Sequence, residues 1–194
     1  METASINTED TVPDIAGDII IRTAHAGDVQ YADVISAEME SSAKARGTGI
    51  SKRPPSLIRD KILQGKAVIA VCKNGLWAGF SYLQTWEHGA FVSNSGLIVS
   101  PAFREKGIAA LIKEKIVRLS RLLYPAAKIC SITTSAAVMK LNNRLGFEPV
   151  TYAALPQDPA FWEGCRSCVN HGILCSKQRR NCLCTALLFT PPHD

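Results

Sequence analysis

The sequence predicts an α/β (α+β) fold, a mixed and twisted central sheet flanked by helices. Short apolar, β-branched runs bounded by turn residues alternate with segments of helical apolar period. The sharpest switch falls between Leu97 and Leu111. There Leu97, Ile98 and Val99 stop at Pro101, and Ile108, Leu111, Ile112, Ile116, Leu119 and Leu123 then recur at helical spacing. Asn74-Gly75, between two apolar runs, is a hairpin signal.

The elements follow in order. Ile19–Arg22 reads as a strand, and Asp28 can cap a helix from about Val29 to Ala43 with Val29, Ala32, Ile35 and Met39 on one face. Gly and Pro make 46–55 a loop. Ser56 then caps a short helix that Gly65 ends. Strands are expected at Lys66–Cys72, Leu76–Trp86 and Ala90–Val99, the last pair turning at His88-Gly89. After a helix over about 107–123 come a strand at Lys128–Thr133 and a helix capped by Thr134 or Ser135. Gly146 stands where a left-handed residue would end that helix. Pro149–Leu155 and Thr185–Thr190 complete the strands.

With 194 residues, 46% of them apolar and 20% charged, the chain suits one domain with a real core. The division expected is 1–17 as a mobile extension, 18–155 as the core and 156–194 as a cysteine-rich extension completing the domain. No apolar run is long enough for a membrane span, and the acidic N-terminal segment lacks the basic and apolar regions of an export signal. A cytoplasmic protein without membrane partners is expected. The net charge of +5 suits a polyanionic small molecule and is too dispersed for a nucleic-acid footprint.

The turn at 100–107 carries the chemistry. Arg104-x-x-Gly107-x-Ala109 joins a strand to a helix, and unpaired amides with the positive end of the helix dipole bind phosphate there. V-x-P-x-x-R-x-x-G-x-A entering an amphipathic helix, followed by Leu145-Gly146-Phe147, resembles the acyl-CoA pyrophosphate loop of the GNAT superfamily of N-acetyltransferases. The order of elements agrees over about residues 19–155. A finer resemblance, to small bacterial N-acetylglutamate synthase-like acetyltransferases, rests on Arg46–Ile50 and Asn94–Val99.

The resemblance implies the GNAT fold with a splayed central strand pair, into which the pantetheine arm of acetyl-CoA (or succinyl-CoA) enters beside Leu97, Ile98 and Val99. The amide of Ile98 or Val99 would stabilise the oxyanion. Arg104, Glu105, Lys106, Gly107, Ile108 and Ala109 would hold the pyrophosphate. Glu87 and His88, at the turn before the central strand, are the candidate bases. The superfamily's penultimate-helix Tyr, which protonates the leaving thiolate, is here Asn142, so an acid role passes to a hydrogen-bond donor. Asn142 and Asn143 are expected as coenzyme contacts. A homodimer is compatible with the resemblance.

The basic stretch Lys44–Arg53 has no carboxylate, and its Arg46, Lys52 and Arg53 suit a small acidic acceptor with Asn94 and Ser95 near it; the finer resemblance implies glutamate as the first candidate. Other readings are a polyamine, aminoglycoside or protein-amine acceptor, or a non-catalytic acyl-CoA sensor. In the tail, Cys165, Cys168, Cys182 and Cys184 could close a tetrahedral zinc site; reduced thiols packed as small apolar groups, or redox sensing, are the alternatives.

Overall fold

The computed structural model describes residues 19–47 and 52–191. The expected N-terminal extension and positions 48–51 of the basic stretch lie outside the described residues. A 7-stranded sheet runs in the order β1-β2-β3-β4-β5-β7-β6. Its strands are β1 (Ile19–Thr23), β2 (Ala67–Cys72), β3 (Trp77–Trp86), β4 (Phe91–Val99), β5 (Lys128–Thr133), β6 (Glu148–Val150) and β7 (Thr185–Phe189). All neighbours pair antiparallel except β4 and β5. The helices are α1 (Ala32–Ala45), α2 (Pro55–Leu63), α3 (Ile108–Leu123), α4 (Ala136–Arg144), α5 (Pro159–Glu163) and α6 (His171–Ser176).

Strand alternation sorts the core into two faces. On one, Val68, Ala70, Leu83, Val92 and Ile129 pack under Ile108, Ile112 and Ile116 of α3 and Phe147 after α4. On the other, Ile69, Phe80, Tyr82 and Ile98 pack under Ile35 and Met39 of α1 and Ile58 and Ile62 of α2. Farther along that second face, Cys130, Ala186 and Leu188 meet Tyr152, Phe161, Trp162 and Leu174 of the tail. The sheet is therefore closed by α3 and α4 on one side and by α1, α2 and the tail on the other.

Local differences from the sequence reading have simple causes. Asp28 does not start α1. It sits, 2% exposed, in a 3-10 turn (Ala26–Tyr31) where it accepts the His25 N–H and both arms of Arg22 at 2.6 and 2.8 Å. The second helix begins at Pro55, whose missing N–H costs nothing at the first helical position, rather than after a Ser56 cap. The strand expected at Pro149–Leu155 is cut to Glu148–Val150 by a 3-10 turn. No helix among the described residues is long and apolar enough to cross a membrane.

Candidate active site

β4 and β5 pair over Phe91↔Lys128, Val92↔Ile129 and Ser93↔Cys130 only. Beyond that point β4 stays with β3 as far as Gly79↔Val99, and β5 stays with β7 as far as Thr133↔Thr185. The two inner edges diverge, which is the splay expected for the central pair. A β-bulge re-aims β4 there: Tyr82 faces Ser95 but Phe80 faces Ile98, so β4 holds one extra residue. Gly96 supplies it at φ +65°, and a Cβ on it would stand 2.7 Å from Tyr82 Cε1. Ser100 donates its N–H to Ala78 on β3 at 2.9 Å. By alternation the N–H and C=O of Val99 turn to the open side, so Val99 rather than Ile98 has the free amide.

The chain leaves β4 through a 3-10 turn (Pro101–Phe103) and reaches α3 with Glu105 at φ 64° and Gly107 at φ 77°. Gly107 caps α3 with no side-chain acceptor. Ala110 and Leu111 donate to its carbonyl, and among the described residues no acceptor takes the N–H groups of Glu105, Lys106, Gly107, Ile108 or Ala109. These amides and the positive end of a 16-residue helix form an anion cradle. Arg104 does not aim its charge into it. Its guanidinium turns to α1, bonding Glu38 Oε1 at 2.6 Å and Ser42 Oγ at 2.7 Å, and Nε reaches the Val99 carbonyl at 3.4 Å. Arg104 is thus a brace between α1 and the cradle, its charge largely neutralised by Glu38.

The face carrying α1, α2 and the tail gathers the residues suited to an acceptor. The hydroxyl of Tyr82, a residue 3% exposed, contacts the side chains of Arg53 and Ser95, and burial pushes its pKa up. Arg53 is held from α1 by Ser36, whose hydroxyl donates to its carbonyl at 2.7 Å. Lys52 donates its N–H to Ser167 of the tail at 2.8 Å. Arg46 ends α1 and is exposed, with no described contact to this group. Asn94 is not with Ser95: it faces α3, bonded to Ser120 Oγ at 2.8 Å and to Lys113 Nζ at 3.3 Å. Adjacent strand residues point to opposite faces, so Asn94 and Ser95 could not share one task.

Glu87 and His88 occupy a turn with φ 49° and 56° at the closed end of the splay, separated from its vertex by Phe91–Ser93, about 10 Å of strand. Glu87 Oε1 accepts the Gln157 N–H at 2.6 Å, and its charge reaches the Cys130 thiol of the last β4–β5 pair. His88 is exposed. Asn142 is fully buried under β5: its Nδ2 donates to Ser131 Oγ at 3.1 Å, and its Oδ1 has no partner. Asn143, next along α4, is exposed.

Tyr82, Ser131 and Lys113 were not singled out by sequence. Lys113 had a signal, a cation inside the apolar stripe Ile112, Ile116, Val117 of α3. A cavity of about 530 Å³ lies between α1, the β2–β3 hairpin and the exit of β4 at Ser100 and Pro101. Both its titratable side chains are engaged, Glu38 with Arg104 and Tyr31 with the Gly75 carbonyl, so it offers no free reactive group.

In the tail, Cys165, Cys168, Cys182 and Cys184 line a cavity of about 30 Å³ with Tyr152, Trp162 and His171. Cys168 N–H closes a turn on the Cys165 carbonyl at 2.9 Å, and the Asn170 N–H points at Cys168 Sγ at 3.4 Å. All seven cysteines are free thiols. As the side chains stand, no three His, Cys, Asp or Glu among the described residues are arranged to hold a metal ion.

No protein-family model and no curated protein matches the sequence. Solved structures do. N-acetylglutamate synthase from Neisseria gonorrhoeae, complexed with coenzyme A and N-acetyl-glutamate, aligns with a TM-score of 0.63 at 16% identity, covering 90% of this chain and 35% of that one. The chain thus spans about a third of that enzyme's length. Rv2747 from Mycobacterium tuberculosis, in complex with CoA, gives 0.63 at 17% identity, covering 89% and 99%. A phosphinothricin acetyltransferase of the GNAT superfamily from Sinorhizobium meliloti, in complex with acetyl-CoA, gives 0.59 at 16%, covering 90% and 89%. Likeness at such identities speaks for architecture, and the architecture of this chain is that of the GNAT acetyltransferases.

Proposed function

We propose that the chain is an acyl-CoA-dependent N-acyltransferase that moves an acetyl group to the amine of a small acidic acceptor, glutamate first among candidates. The observation that carries the transferase reading is the run of unpaired amides from Glu105 to Ala109 opening onto the splay. It fits a pyrophosphate at the cradle and an extended pantetheine along the free edge of β4. The similar structures holding CoA or acetyl-CoA support the same cosubstrate.

In this reading an amide on the open edge of β4 at the vertex receives the oxyanion as the amine attacks the thioester carbon, and Val99, five residues farther along the strand, is left to the pantetheine. One such donor is worth about 3–4 kcal/mol in other acyl transfers. The acceptor lies on the α1–α2 face, its carboxylate on Arg53 and on the Tyr82 hydroxyl, which its raised pKa keeps protonated. Glu87, on that same face, takes the amine's proton through water, and His88 is left without a role. Acyl transfer from acetyl-CoA and succinyl-CoA to a panel of amino acids and polyamines, read by mass spectrometry, is the test. An acylated acidic amino acid is expected. Products from polyamines alone would overturn the acceptor assignment, and coenzyme binding with no product from any amine would favour a sensor.

The same proposal includes a structural zinc ion on Cys165, Cys168, Cys182 and Cys184 and a cytoplasmic, reducing setting. The Cys165–Cys168 turn, the N–H aimed at Cys168 and a cavity of about 30 Å³ that admits one ion support it, although the thiols must rotate to converge. Because Ser167 within that turn holds Lys52, the ion would fix the acceptor loop. Metal analysis of the purified chain should give about one zinc per chain, retained in Cys175→Ser and lost in Cys184→Ser. Zinc-free protein after purification in zinc-containing buffer would exclude the site.

A further inference from the structure

Lys113 is the one charged side chain on the sheet-facing side of α3 whose surroundings the acyl-transfer scheme has not used. It is 2% exposed. Buried lysines normally pair with a carboxylate or extend their ammonium to water. Lys113 does neither: Nζ bonds Asn94 Oδ1 at 3.3 Å and lies 4.8 Å from the centroid of the Phe147 ring. A cation left this way is costly, and the group relieves that cost by giving up its proton readily.

The position of Lys113 says where that proton can go. Asn94 is the first residue of β4 past the last β4–β5 pair, Ser93↔Cys130, and it is the residue that holds the Lys113 ammonium. The ammonium therefore stands at the vertex of the splay, on the face of α3 and α4. A pantetheine laid along the splay with its pyrophosphate at the cradle ends its thioester at that vertex. Asn142, from α4, reaches the same face of β5 through Ser131, but an amide has no proton to give.

We propose that Lys113 protonates the sulfur of the departing coenzyme, a role resting on the acyltransferase reading above. In the tetrahedral intermediate the former carbonyl carbon holds both the acceptor nitrogen and the sulfur. The C–S bond breaks with its electron pair on sulfur, and an ammonium proton of Lys113 forms the S–H bond. The nitrogen's surplus proton leaves through water to Glu87, and Lys113 regains its own from solvent after coenzyme A departs.

The surroundings suit this. Burial lowers the Lys113 pKa to about 7, so donor and spent forms are both accessible near neutrality, and the pocket prefers the spent, neutral one. The groups facing it do not compete. Asn94, Ser120, Ser131 and Asn142 do not titrate, and burial pushes the Cys130 thiol up to about 12, so it stays protonated. Cys72 of β2 and Tyr124 border the same core.

The test uses the full chain in two assays. Lys113→Met should retain acetyl-CoA affinity within about twofold while kcat falls about 100-fold or more, and the alkaline decline of kcat centred near pH 7 in the wild type should vanish. Wild type should bind coenzyme A more tightly than desulfo-coenzyme A, a preference Lys113→Met should lose. A wild-type kcat that rises steadily from pH 6 to 9 would overturn the proposal without any variant. So would a Lys113→Met enzyme with unchanged kcat, or an unchanged preference for the thiol. If the chain acylates no amine yet shows the Lys113-dependent preference, the transferase reading fails while the lysine–sulfur contact stands.

Discussion

Gly96→Ala tests the element on which the site depends, the bulge that turns β4 away from β5. An alanine there must hold φ +65°, a left-handed conformation costing about 1–2 kcal/mol for a residue with a Cβ. The new methyl would also lie 2.7 Å from Tyr82 Cε1 and 2.9 Å from Met39 Cε. Met39 can yield, being a flexible chain end. Tyr82 cannot move freely, because its ring is buried and its hydroxyl is engaged by Arg53 and Ser95. Overpacking of this kind adds about 1–3 kcal/mol, for a total of about 2–5 kcal/mol. Urea unfolding should show that loss as a lower midpoint at unchanged slope. Displacement of Tyr82 should raise the acceptor KM more than it changes kcat. If Gly96→Ala unfolds within about 0.5 kcal/mol of wild type, the residue is not held in the conformation described and the bulge does not set the splay.

Arg53→Met should raise the acceptor KM about tenfold or more, the loss of a charged hydrogen bond, with acetyl-CoA affinity unchanged by calorimetry. Arg104→Met should detach the cradle from α1. Because the Arg104 side chain is 46% exposed, the loss is discounted to about 1 kcal/mol, roughly fivefold in coenzyme affinity. Glu38→Gln should produce the same change in direction, whereas an Arg104 that contacted phosphate directly would bind tighter once freed from Glu38.

The sheet and its helices were legible because both periods are strong in this chain. β2, α3, β5 and α4 lie within a residue or two of where apolar spacing and turn residues put them. An isolated glycine within a strand run marks a bulge, so Gly96 carries that signal as well. Within the tail only the strand at Thr185–Thr190 was legible, as β7; α5 and α6 are too short to show a period, and Leu174 is buried by contacts distant in sequence. The site suffered most from that limit. Whether Arg104 faces a phosphate or Glu38, and whether Asn94 faces an acceptor or Lys113, depends on which distant side chain arrives. No local pattern encodes it.

Lys113 makes the last point by linking chemistry to stability. Its folded pKa, about 7, lies below the 10.5 of an unfolded lysine. Between those values the unfolded chain binds the extra proton, so its contribution stabilises the fold as pH rises across that window and is lost as pH falls through about 7. The slope cannot exceed about 1.4 kcal/mol per pH unit for one group. Lys113→Met, of similar volume and with no charge to desolvate, should therefore be more stable than wild type at pH 6 and 7, with the advantage shrinking as pH approaches 10. Thermal melts of both proteins at each pH isolate this from every other titrating group, because only the difference between them is read. A constant difference would mean that the ammonium is solvated in the folded chain, and the reason for placing an acid there would disappear. A shrinking difference would show a fold that gives up stability to keep a proton donor at its vertex, the trade expected of a working site.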